Sequence, residues 1–125
     1  MTKKELLQTL LLAERNFRGS KYESVVQLGM DLYYRDCFDL CEKELSKLPT
    51  EGQLLNRLVE KLEGKPVYQS LKRIQQGKVE NNLVTAKALS SLLTHNLIEC
   101  EKNPEYRVLI PSLLDKINEV VFDII

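Results

Sequence analysis

The chain has 125 residues, 43% of them hydrophobic, with 18 basic residues against 18 acidic ones and a formal charge of zero. That length suits a single domain, 1–125, with enough apolar material for one core. Zero net charge excludes a global pull toward nucleic acid or an anionic membrane and leaves such binding to a local basic face. Cys37, Cys41 and Cys100 are an odd number in a chain that is not cysteine-rich, so a reducing, intracellular compartment is expected. The first apolar run is soon interrupted by Glu14 and Arg15, unlike a signal peptide. No stretch approaches the roughly 18 apolar residues of a membrane span, so no membrane partner is expected.

Leu6, Leu7, Leu10, Leu11 and Ala13 predict a first helix over 3–16. Gly19 is placed to stop it and Ser20 to cap the second helix. Val25, Val26, Gly29, Leu32, Tyr33, Phe38, Cys41 and Leu45 then predict one long helix over 21–47, closed by Pro49. Gly29 inside it costs about 1 kcal/mol relative to Ala and marks either close packing or a break. Thr50 and Gln53 resemble a capping box, and a stripe of Leu54, Leu55, Leu58, Val59 and Leu62 comes after it. Pro66 suits the first turn of the next helix, which carries Val67, Leu71 and Ile74 as far as Gly77.

Asn81 and Asn82 are candidate caps for a helix over 82–95 with Val84, Ala88, Leu89, Leu92 and Leu93 inward. Leu58, Leu89, Leu92 and Leu93 are therefore expected in the core. Segments 97–100 and 106–110 are short, apolar and separated by Asn103-Pro104, which predicts a small two-stranded wing at 97–110. Pro111 opens a last helix bearing Leu113, Leu114, Ile117, Val120, Val121 and Ile124. The apolar pattern runs on through 120–125 without a cap, so this end is expected to pack on a second copy or on more chain. The expected fold is mainly α: five to six helices in one compact bundle, divided into N-terminal helices at 1–48 and a winged-helix-like or bundle half at 50–125.

Chemistry-bearing patterns are sparse. The 82–95 helix projects Lys87, Ser90, Ser91 and Thr94 away from its apolar stripe. Small polar and cationic side chains suit a helix entering a DNA groove, and equally a solvated face. On the DNA reading, Lys87, Ser91 and Thr94 make contact from the helix and Arg107 from the wing. Lys72, Arg73, Lys78 and Lys102 add to a phosphate-contacting patch, with Glu80, Glu99, Glu101 and Glu105 among them. Cys37 and Cys41 share a helix face, but zinc needs two further ligands, and buried thiols are expected instead. His95, the only histidine, is read as satisfying carbonyls at a helix end. No nucleophile, metal or cofactor motif is present, so no enzyme is expected.

The segment TAKALSSLLTHNLIE, with Lys87-Ala88-Leu89, Leu92, Leu93 and His95-Asn96-Leu97-Ile98, then Tyr106, resembles the first winged helix of a subunit of the RNA polymerase III initiation subcomplex. That subunit is related to the TFIIE α subunit. A fainter likeness covers Met1-Thr2, Glu5, the Leu10-Leu11-Leu12 run, Glu14, Phe17, Gly29 and Leu32, so about a third of the chain takes part. The stretch from about 36 to 80 has no counterpart. The resemblance implies a nuclear, non-catalytic transcription module acting through protein and DNA contacts. The alternative is a small all-helical protein-interaction protein, cytoplasmic and without nucleic-acid binding, because LLNRLVEKLEG also resembles the central helix of small bacteriocin-immunity bundles. Conformation at 97–110 separates the two: a hairpin favours the winged helix, a helical connection the bundle.

Overall fold

The computed structural model describes residues 1–78 and 82–124. It contains seven α-helices: α1 Lys3–Phe17, α2 Glu23–Tyr34, α3 Phe38–Leu45, α4 Glu51–Glu60, α5 Val67–Gln75, α6 Asn82–Lys102 and α7 Ile110–Ile124, with a 3-10 segment at Pro104–Leu109. Among the described residues there is no strand. The chain divides into two compact units, one of Met1–Thr50 with Lys102–Glu105 and one of Glu51–Glu101 with Tyr106–Ile125.

In the first unit, Thr2 caps α1: its Oγ1 accepts from the Glu5 backbone N–H at 3.1 Å. Leu6, Leu10, Ala13 and Phe17 recur every three to four residues and are buried. The single helix expected over 21–47 is instead broken at residues 35–37. Asp36 adopts a left-handed φ of 61°. Its N–H donates to the Tyr33 carbonyl at 3.0 Å, and the Cys37 N–H donates to the Leu32 carbonyl at 2.9 Å. These are the paired bonds of a Schellman stop, in which a short polar side chain takes the place usually held by glycine. Gly29 marks close packing rather than a break. A Cβ there would lie 3.3 Å from Leu10 Cδ2 and 3.4 Å from Leu45 Cδ2. Tyr33 packs edge-on to Phe38 with ring centroids 5.4 Å apart, beside buried Cys41. Ala13, Phe17 and Val26 form a second small cluster.

The second unit has one larger core. Leu54, Leu58, Val59 and Leu62 from the α4 region meet Leu71, Ala88, Leu92, Tyr106, Leu109 and Leu113. Leu58, Leu89 and Leu92 are buried as expected, and Leu93 is half-buried against that core. The expected two-stranded wing at 97–110 is absent, which corrects the winged-helix architecture. The inward stripe of α6 continues from Ala88, Leu89 and Leu92 to Asn96, which is fully buried. Its Nδ2 donates to the Tyr106 carbonyl at 3.1 Å. A satisfied polar side chain thus extends the helical period where apolar spacing alone suggests an end. Leu97 and Ile98 lie exposed on the outer face, where their strand propensity counts for little. Pro104 disfavours helix at the residue before it, and the helix stops at Lys102. Tyr106 and Leu109 are both buried, and residues three apart align on one face of a 3-10 turn. His95 accordingly lies inside a helix and not at its end. The Asn81 cap falls outside the described residues.

Candidate functional site

The second unit contains a groove of about 350 Å³, toward the lower end of the roughly 300–1,000 Å³ typical of ligand pockets. Four helices wall it because each turns part of its apolar stripe that way: Leu55 and Val59 from α4, Leu71 and Ile74 from α5, Leu89 and Leu92 from α6, and Leu113 from α7. Asn56, Gln75 and Lys116 add polar groups to the lining. Gln75 Nε2 donates to Asn56 Oδ1 at 3.0 Å, so those amides satisfy each other at the rim. Lys116 is the charged residue of the lining. It is exposed and joins no salt bridge among the described residues.

Ionic contacts brace the walls. The Glu60 carboxylate receives the Lys72 ammonium and the Tyr68 hydroxyl, joining α4 to α5. The Lys72 hydrogen bond, and after it that of Tyr68, holds the Glu60 carboxyl below the usual carboxylate range. The same hydrogen bond raises the Lys72 ammonium. Lys61 pairs with Glu99 on α6 and lies over the Tyr106 ring, 5.2 Å from its centroid.

α7 forms only part of the wall. Leu113 is its one buried residue among those described, while Leu114, Val121, Phe122 and Ile124 are exposed, Phe122 by 78%. Leu114, Val121 and Ile124 belong to the apolar pattern read from the sequence, which does not itself say which of its members face outward. The groove itself is not legible there, because concavity depends on how four helices splay.

The residues singled out for DNA lie elsewhere. Lys87, Ser91 and Thr94 share a face of α6 by their i, i+4, i+7 spacing. Lys87 and Thr94 are exposed and Ser91 is half-buried. Thr94 Oγ1 donates to the Ser90 carbonyl at 3.0 Å. Arg107 is exposed on the 3-10 segment, not on a wing strand, and none of the four lines the groove. Among the described residues no group of three His, Cys, Asp or Glu is placed to hold a metal. Cys41 is buried, which pushes its thiol pKa up, with the neighbouring Glu42 adding to the rise. Cys37 is half-buried just ahead of α3. Glu105, which reads as a surface charge in the sequence, is buried, and its Oε2 has no hydrogen-bond partner. Among the described residues, no helix is long and apolar enough to cross a membrane.

No family model matches the chain, and neither a curated protein nor a solved structure matches it.

Proposed function

We propose that this chain is a non-catalytic, all-helical protein-interaction module that docks an amphipathic helix with an acidic flank in the groove of its second unit. The observation that carries this reading is the groove itself: seven apolar side chains from four helices, with Lys116, in no salt bridge among the described residues, as the charged residue of the lining. An apolar helix face laid into such a groove is a common recognition mode, read through residues at i, i+3, i+4 and i+7. A cation at an apolar rim favours a partner that brings a carboxylate there. The DNA reading of Lys87, Ser91, Thr94 and Arg107 has lost the wing that was to present Arg107.

Fluorescence anisotropy with labelled amphipathic peptides, acidic-flanked and basic-flanked, tests the proposal on the full chain. The acidic peptides should bind more tightly. Ile74→Glu should abolish binding while the thermal melt persists, because Ile74 is only half-buried. Absence of binding by any peptide at about 1 mM, at protein concentrations where the chain is monomeric, or equal binding by both sets, would overturn the proposal.

A further inference from the structure

Among the described residues of the second unit, the groove, the outer face of α6 and the outer half of α7 carry apolar side chains without a covering element. The groove and α7 have complementary chemistry. α7 exposes Leu114, Val121, Phe122 and Ile124 and carries Asp115, Glu119 and Asp123 against Lys116 alone. The groove is lined by seven apolar side chains, and Lys116 is the charged residue of its lining. α6 exposes as many large apolar residues, but its Glu99 and Glu101 are balanced by Lys87 and Lys102, and Glu99 is already tied to Lys61.

A molecule cannot fill its own groove with its own α7. Leu113 and Lys116 are part of the groove wall, and α7 continues as helix to Ile124. At 1.5 Å per residue, Phe122 lies about 13 Å along the axis from Leu113.

Building on the docking role just proposed, we infer that the groove's occupant is the outer half of α7 from a second copy of this chain. Exchange is reciprocal in a two-fold pair, so each molecule supplies one groove and one helix and both are filled at once. Phe122 is the anchor, since exposed aromatics that enter apolar pockets dominate such interfaces. Glu119 and Asp123 supply the carboxylates that meet Lys116.

Sedimentation equilibrium of the full chain over a wide concentration range tests this. The expected result is a reversible dimer that Phe122→Asp converts to monomer with its helical melt intact. Lys116→Glu, and separately the double variant Glu119→Lys/Asp123→Lys, should each weaken self-association by about tenfold or more through like-charge contact. Mixing those two variants should restore a dimer, because each groove then meets an oppositely charged helix. A strict monomer would overturn the inference, as would a dimer indifferent to Phe122→Asp or a mixture no tighter than its components. If the chain is monomeric yet still binds acidic peptides through Ile74, the inference fails and the docking role stands. If it does neither, both fail.

Discussion

The Met1–Thr50 region also exposes apolar side chains, at Leu11, Leu12, Leu28, Tyr34 and Leu40. Its cleft, of about 140 Å³, is lined by Glu14, Arg18 and Glu23 as well as Phe17 and Val26. Arg18 pairs with Glu14 at 2.7 Å there. In the second region the cavity is larger, with seven apolar side chains in its lining and Lys116, exposed and in no salt bridge among the described residues, as its charged member. Exposed leucines are ordinary on any protein surface. A concavity that repeats the apolar chemistry of the core is not, and that contrast separates a candidate site from background. The cores differ as well. The first region packs two small clusters, each with an aromatic edge contact, and Met30 packs against both. The second packs ten buried residues around a polar latch, Asn96 to Tyr106.

Truncation of each core would break or sharpen this comparison most strongly. Leu58→Ala and Leu10→Ala each remove a side chain that is 1% exposed and should cost about 2–5 kcal/mol. Hydrogen exchange should rise most across α4–α6 for Leu58→Ala and across α1–α3 for Leu10→Ala. Equal acceleration of all amides by both variants would mean that the two cores unfold as one.

Asn96→Ala should cost about 1–3 kcal/mol in urea melts, because it leaves the Tyr106 carbonyl without its buried donor. An unchanged midpoint would mean that the latch contributes nothing and that apolar packing alone holds the connection.

The smallest effect belongs to the α4–α5 brace. The lowered Glu60 carboxyl favours the folded chain while ionised, so its contribution is present at neutral pH and is lost as pH falls through its folded-state value. Glu60→Gln should lower the melting temperature slightly at pH 7. That gap should close as pH drops well below the ordinary glutamate value of roughly 4.3. The groups are exposed, so salt should shrink the gap too. A gap independent of pH and salt would assign the effect to something other than charge.

The sequence by itself determined, through apolar periodicity, that this is a mainly helical chain and that Leu58, Leu89 and Leu92 are buried, and, through Thr50 with Gln53 and through Pro111, that helices begin near residues 51 and 110. Such stripes are local, and burying them is the dominant favourable term in folding. Only the tertiary structure decided the rest. Asp36 in a left-handed turn splits what reads as one helix, because the stop is made by backbone bonds to Leu32 and Tyr33 rather than by a glycine. α6 runs through Leu97 and Ile98 because buried Asn96 finds the Tyr106 carbonyl ten residues on, a pairing that no local pattern encodes. The groove depends on four helices meeting at a distance in sequence, and whether an apolar stripe faces a neighbour or an empty concavity is settled by packing and not by period.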